Sequence, residues 1–324
     1  MKAAVLNKKE SIIIEDRPIP KTDEESNVLL KVLYCGICGS DMPKYFGNRA
    51  KHYPLVLGHE FCGIVEDGPE ELKGKLAAGI PLWYCGECDN CKNGNFELCR
   101  NHRYIGSTID GAMQEYITIP DKYILEADAL RANPELAALV EPCAVAVHAC
   151  NLIFDEMRKN KNKSFGIIGD GVIGTLMYLV LRHYGKIYKE QIRLIGPKDE
   201  VQEDMFDYCF ECSGKVGGLN SAIKSTKYKG QIMQLGIVYP EFFKEQELFN
   251  FDKLLRKEQN MQGCWNSNFR DDWIEALNII SKFPEEYKKI ISRVYNLENT
   301  EQAFLDKKYS KEKTLKLMIK VGEE

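Results

Sequence analysis

The sequence predicts a two-domain chain of the α/β plus β class, with a β-rich metal-binding domain and a shortened, doubly wound domain built on a parallel sheet. Three observations carry this expectation. The first hundred residues alternate short apolar strands with two clusters of metal-ligand residues, at 38–60 and 85–99. Further on, an apolar strand runs into Gly169-x-Gly171-x-x-Gly174 and then a helical pattern. Glycines so placed let the backbone approach a pyrophosphate at a helix N-terminus. Finally, 324 residues are long for one domain and comfortable for two. The expected boundaries are 1–142 with 266–324 for the metal-binding domain and 143–265 for the nucleotide-binding one.

Composition narrows the class. A hydrophobic content of 44% and a charged content of 28% are ordinary for a soluble globular protein. The net charge of −4 argues against nucleic acid or an anionic membrane as the main partner. No apolar run approaches the roughly 20 residues that span a bilayer. The N-terminal MKAAVLNKKESIII lacks the apolar region and cleavage site of a signal peptide and reads as a first strand. Twelve cysteines without a secretory signal are expected to be metal ligands and buried thiols in a reducing cytoplasm.

Strands are expected at 3–6, 12–14 and 28–33, separated by polar or proline-bearing connections such as Arg17-Pro18-Ile19-Pro20. The metal stretch follows. Cys38 and His59 are a thiolate and an imidazole, the ligands zinc prefers. Glu60 follows at once, flanked by Gly58 and Gly63, and Ser40 lies two residues past Cys38. A strand at 64–66 comes next. Cys85-x2-Cys88-x2-Cys91-x7-Cys99 then offers four thiolates within one loop. Such a shell closes tetrahedrally around an ion and leaves no position for substrate, so the site is expected to be structural.

A turn at 106–111 enters a strand at 115–119, and a short helix at 134–140 leads to Glu141-Pro142. A carboxylate in an apolar helical run needs a partner, which a metal ion would supply; His148 reads as a packed helical histidine. The strand at 165–168 feeds the glycine loop and a helix at 175–183, so Gly169, Gly171, Val172, Ile173 and Gly174 are the expected cofactor-binding residues. The next strand, 191–195, should end in an acidic residue that grips the adenosine ribose. It ends instead in Gly196-Pro197-Lys198. Loss of that carboxylate beside Lys198 predicts tolerance of NADPH, unless Lys198 is only a solvated loop residue. Residues 197–205 are too few for the usual helix, strand and helix, so the nucleotide domain should lack an edge. Expected thereafter are a helix at 216–226, a strand at 231–238, a helix at 251–257 and a strand at 260–265. Elements at 272–283, 291–295, 300–307 and 315–321 then return to the first domain.

Cys-Gly-Ile-Cys-Gly-Ser-Asp at 35–41, Gly58-His59-Glu60-x-x-Gly63, the four-cysteine run, Asp110-Gly111-x-x-x-Glu115-Tyr116 and Glu141-Pro142 together resemble the zinc-dependent medium-chain dehydrogenases, in their polyol branch. The resemblance implies a GroES-like β-barrel and a truncated Rossmann domain. It also implies one structural Zn2+ on Cys85, Cys88, Cys91 and Cys99, and one catalytic Zn2+ on Cys38, His59 and a glutamate. Glu60 and Glu141 are both candidates for that third place. The implied chemistry is reversible oxidation of a secondary alcohol of a polyol or polyol phosphate, with hydride transfer to NAD or NADP. Zinc would act as a Lewis acid on the substrate oxygen, and Ser40 would pass the proton outward. Pro43 stands where the alcohol members carry a relay histidine, which leaves water or His52 for the rest of the route. The cationic loop of Lys44, Arg49, Lys51 and His52 is expected to hold a substrate phosphate. A homodimer or homotetramer is implied. The competing readings are a simple zinc alcohol dehydrogenase and a catalytically weak zinc-binding homologue.

Overall fold

The structure is a computed structural model that describes residues 1–25, 27–155, 162–239 and 249–323. In chain order its strands are β1 (Lys2–Lys8), β2 (Ser11–Asp16), β3 (Val28–Gly36), β4 (Leu55–Val56), β5 (Glu60–Asp67), β6 (Leu76–Gly79), β7 (Leu82–Trp83), β8 (Arg103–Tyr104) and β9 (Tyr116–Ile119). They continue as β10 (Ile124–Glu126), β11 (Phe165–Ile168), β12 (Ile192–Ile195), β13 (Phe206–Glu211), β14 (Thr226–Gln234), β15 (Asn260–Gly263), β16 (Ile291–Asn296) and β17 (Lys316–Lys320). The chain divides into two compact units, Met1–Glu141 with Asn268–Glu324, and Pro142–Ser267.

In the first unit β3 is the hub. Its sequence, VLLKVLYCG, places apolar residues where one face is buried. One edge of β3 pairs antiparallel with β5 from Leu29↔Asp67 to Gly36↔Glu60. The other edge is shared: β9 takes Val28 to Lys31, and β17 takes Tyr34 to Gly36. The sheet runs β10-β6-β5-β3-β17-β16, and a second sheet runs β2-β1-β4. The two meet where Ala4 N donates to Met113 O at 2.9 Å and Glu115 N to Lys2 O at 3.0 Å. Among the described residues the strands of this β-rich unit form mixed sheets, in which β9 and β17 divide one edge of β3 and no pairing joins β10 to β16.

The second unit carries a parallel sheet of five strands in the order β12-β11-β13-β14-β15. β11 is buried along its whole length, as a strand covered on both faces must be. A core of Ile168, Ile195, Phe206, Cys209, Leu219, Ala222, Ile223 and Ile232 packs against it. β12 passes to β13 through 196–205 without a helix or strand, so β12 is the edge and the expected gap is present.

Several boundaries differ from expectation: β5 begins at Glu60, ahead of 64, and three further differences shape the second unit and its approach. The helix after the glycine loop is Val172–His183, beginning ahead of 175. Gly174 is thereby inside the first turn, where a Cβ would land on Gly169 O; a glycine there lets the helix sit on its own loop. β14 begins at Thr226 because pairing with Phe206 starts there, and the chain leaves it at Leu235, whose N–H donates to Glu211 O at 2.9 Å. The segment Pro134–Leu139 is a 3-10 turn that runs on into the α-helix Val140–Asn151. No helix among the described residues is long and apolar enough to cross a membrane.

Candidate active site and metal centres

The register of β3 against β5 assembles the first centre. Gly36 lies opposite Glu60, so Cys38, just past the end of β3, meets His59, just before the start of β5. The ligand atoms of Cys38, His59 and Glu60 lie within 4.8 Å of one another. Two glycines make this approach possible. A Cβ on Gly36 would fall on the Glu60 carboxylate, and Gly58 has φ +96 with a Cβ that would strike Cys35 Sγ. Ser40 lies half-buried in the 3-10 turn Gly39–Asp41 that follows Cys38.

Buried charge surrounds this cluster. Asp41 is fully buried and accepts from the Cys38 N–H at 3.1 Å and from Lys44 Nζ at 3.0 Å, with His59 Nδ1 at 3.5 Å. Burial alone would raise the Asp41 carboxyl, but Lys44 and His59 hold it below the usual carboxylate range. Lys316 Nζ donates to Glu60 Oε2, and both side chains are buried. Glu141, in the first turn of its helix, takes a contact of 3.5 Å from Tyr104 OH. Burial, with Glu60 as a neighbouring negative charge, pushes the Glu141 carboxyl up to about 7. His59 is buried, which disfavours its charge, yet Asp41 and Cys38 raise it well above an ordinary imidazole. The surroundings thus favour a cation at the centre of the cluster. Sulfur, nitrogen and oxygen donors leaving one side open are the donor set of a catalytic zinc, so the residues fit that ion.

Lys44 departs from expectation. It is 7% exposed, and its ammonium is used by Asp41 and by Gly106 O at 2.7 Å, so it does not offer a cation to a substrate phosphate. The sequence around it is polar enough to read as a solvated loop; only the fold turns it inward. Arg49, Lys51 and His52 are exposed, and His52 Nδ1 lies 3.0 Å from Pro54 O. His148 is half-buried on its helix. Asp41, Tyr104 and Lys316 were missed by the sequence reading, since none sits in a recognisable ligand spacing.

The second centre is the loop of Cys85, Cys88, Cys91 and Cys99, whose sulfurs also lie within 4.8 Å of one another. Individual Sγ···Sγ separations are 3.5 Å for Cys88–Cys91 and Cys99–Cys85, 3.9 Å for Cys85–Cys91 and 4.0 Å for Cys88–Cys99. A tetrahedral shell with Zn–S near 2.3 Å requires about 3.8 Å between sulfurs, so this cage fits zinc without rearrangement. Gly86 and Gly94 turn the loop at φ +77 and +79. Backbone N–H groups of Cys91 and Arg100 pull the Cys88 thiol down to about 6, whereas burial pushes Cys91 up to about 12.

In the second unit the glycine loop lies at the carboxyl end of β11, between β12 and β13, where strand order reverses. That is the place where doubly wound sheets bind ligands. Gly169 has φ +107, and a Cβ there would stand 2.8 Å from Ser213 N. Gly171 has open space around it and caps the helix at Val172 and Ile173. This cradle fits a dinucleotide pyrophosphate. Lys198 is exposed in the turn after β12. The Asp170 carboxylate lies against Gly196, so the end of β12 is not devoid of negative charge.

Comparison with known proteins gives two family models: the alcohol dehydrogenase GroES-like domain over residues 24–129 and zinc-binding dehydrogenase over 186–282. The sorbitol dehydrogenase of Halalkalibacterium halodurans is 27% identical over 322 residues, covering 90% of this chain and 91% of that protein. The D-arabitol-phosphate dehydrogenase of Enterococcus avium is 28% identical over 322 residues, covering 89% and 88%. The L-threonine 3-dehydrogenase of Cutibacterium acnes is 30% identical over 288 residues, covering 79% and 81%. Among solved structures, a zinc-binding dehydrogenase of Sinorhizobium meliloti 1021 bound to NADP superposes with a TM-score of 0.83 at 25% identity, covering 99% of each chain.

Proposed function

The chain belongs to the zinc-binding dehydrogenases of the medium-chain alcohol dehydrogenase type, and on that premise we propose that it oxidises a secondary hydroxyl of a polyol or polyol phosphate to the ketone, reversibly, with a nicotinamide cofactor taking the hydride. The observation that carries this reading is the Cys38, His59 and Glu60 cluster, assembled by the Gly36↔Glu60 register. A zinc ion held there supplies Lewis acidity to the substrate hydroxyl. Cys38 and His59 are proposed ligands, and Glu60 is the proposed third, since Lys316 engages Oε2 and leaves the other oxygen available. Asp41 lies 3.5 Å from His59 Nδ1, longer than a hydrogen bond, on the side where an outer-shell carboxylate stands to a metal-ligating histidine. Glu141 lies beside the same cluster, in a buried place where a cation would offset the cost of its charge. Ser40 is the proposed first proton carrier. Cys85, Cys88, Cys91 and Cys99 hold a structural ion.

The polyol rather than simple-alcohol assignment is supported by the sorbitol and arabitol-phosphate enzymes among the relatives. We place the enzyme in a reducing cytoplasm, the compartment in which a chain with twelve cysteines and two clusters of metal-ligand residues keeps its thiols reduced. We also propose a homodimer or homotetramer, supported by β15, an edge strand whose residues are all exposed. The test of function is a screen of galactitol, sorbitol, ribitol and their phosphates against ethanol with both nicotinamide cofactors. Turnover of polyols or their phosphates well above ethanol is expected. Faster ethanol oxidation would make this a simple alcohol dehydrogenase, and no turnover with bound zinc and cofactor would make it a catalytically weak homologue.

A further inference from the structure

We infer that Asp170, in the glycine loop, replaces the missing acidic residue at the end of β12 and makes the chain select NAD(H) over NADP(H). This inference rests on the nicotinamide reading above and replaces the expectation of NADPH tolerance drawn from Gly196.

The geometry follows from the register of two parallel neighbours. Ile168 of β11 pairs with Ile195 of β12, and Gly169 N donates to Ile195 O at 2.8 Å. Residues 169 and 196, each one past that pair, are therefore side by side, and residue 170 can reach across the end of β12. A Cβ built on Gly196 would stand 2.7 Å from Asp170 Oδ2 and 3.0 Å from its Cγ. The carboxylate thus occupies the volume that a side chain at 196 would fill. The absence of a side chain at 196 and the acid at 170 are complementary.

Charge around the spot points the same way. Asp199 Oδ2 accepts from the Gly196 N–H at 2.7 Å, so a second carboxylate closes the turn on the other side of Gly196. Glu200 follows it. Among the described residues of this strand and turn, Lys198 is exposed to solvent, and Arg193 on β12 directs its guanidinium at Glu200 O at 3.4 Å and Met205 Sδ at 4.0 Å. In a dinucleotide site of this form the pyrophosphate lies at the helix N-terminus and the adenosine ribose beside the end of the second strand. A carboxylate there accepts hydrogen bonds from ribose hydroxyls, as a neutral 2′-OH allows. A 2′-phosphate in the same place meets like charge at close range and is repelled.

The test is direct binding, by cofactor fluorescence or calorimetry, of NADH and NADPH to wild type, Asp170→Asn, Asp170→Ser and Asp199→Asn, without substrate. Thermal melting of each variant serves as the control for folding. Wild type is expected to bind NADH at least ~10-fold more tightly than NADPH, and the neutral variants at 170 to bring the two within ~3-fold, chiefly by tighter NADPH binding. A wild type that prefers NADPH, or a ratio unchanged by both neutral variants at 170, overturns the assignment while leaving the nucleotide site standing. Collapse of the ratio in Asp199→Asn alone transfers the role to Asp199 and overturns it equally. Failure of wild type to bind either cofactor overturns the nucleotide reading itself, and the assignment of Asp170 with it.

Discussion

Asp41 is held by an ammonium, a backbone N–H and an imidazole in a place with no solvent, and its value to the site depends on Lys44 remaining there. Removing one partner of a buried ion pair is costly because the other charge stays behind. Lys44→Met is therefore expected to lower unfolding stability by about 3 kcal/mol, measured by urea titration of the zinc-loaded protein, and to weaken retention of the ion at His59. The same substitution should leave the ratio of rates on free and phosphorylated polyols unchanged, since the ammonium is directed at Asp41 and Gly106. A selective loss of phosphate substrates in Lys44→Met would show that Lys44 reaches the substrate after all. The two thiolate centres separate at this scale too. Cys91→Ser should lower the melting temperature while the protein keeps its other ion and its turnover, because a closed site contributes to folding. Cys38→Ser should abolish turnover in a protein that melts close to wild type.

At the scale of elements, the entry to the parallel sheet is tied by one carboxylate. Asp207, on β13, accepts from Ser164 N at 3.0 Å, Ser164 Oγ at 2.8 Å, Lys163 Nζ at 3.0 Å and Lys227 Nζ at 2.9 Å. The start of β11, β13 and β14 are thereby held together. Partial burial would raise this carboxyl, but the Ser164 N–H and hydroxyl and the two lysines hold it well below the usual range. A depressed carboxyl stabilises the fold above its unfolded value, near 4, and loses that contribution as pH falls towards its folded value. Asp207→Asn should thus cost about 2 kcal/mol at pH 7 and progressively less below about pH 4. Urea midpoints of wild type and variant across pH 2 to 7 would check this; a difference that does not shrink in acid would mean the effect is packing and not charge.

For the whole molecule, elemental analysis should find about two zinc ions per chain, one for each cluster of ligand atoms. Light scattering on the eluted protein should show a dimer or tetramer. The exposed strand β15, Asn260–Gly263, presents Met261 at 43% exposure on an edge that is unpaired among the described residues. Met261→Lys should weaken an assembly that uses this edge, since charged edge residues discourage strand pairing between copies. A wild type that elutes as a monomer at all concentrations would remove the oligomer from the reading.

What the amino-acid order determined by itself is what short spacings and chain length control. The run Cys85-x2-Cys88-x2-Cys91-x7-Cys99 closes on itself within one loop, so its four sulfurs converge whatever the rest of the fold does. The strand, glycine loop and helix at 165–183 are likewise a local sequence of preferences. The missing edge of the parallel sheet was legible by counting, because 197–205 cannot hold a helix, a strand and a second helix. Only the tertiary structure decided what lies across sheet registers and long loops. Lys316 meets Glu60 across 256 residues because β17 and β5 flank the same strand. Lys44 is turned from a polar loop into a buried partner of Asp41 by Gly106, which is 62 residues away. Asp170 comes to stand over Gly196 because β11 and β12 are in register. The sharing of one edge of β3 between β9 and β17 is likewise a matter of long-range pairing. Side-chain periodicity reports which face of a strand is buried, but which strand lies beside it depends on contacts between residues far apart in the chain, and those leave no mark in local spacing.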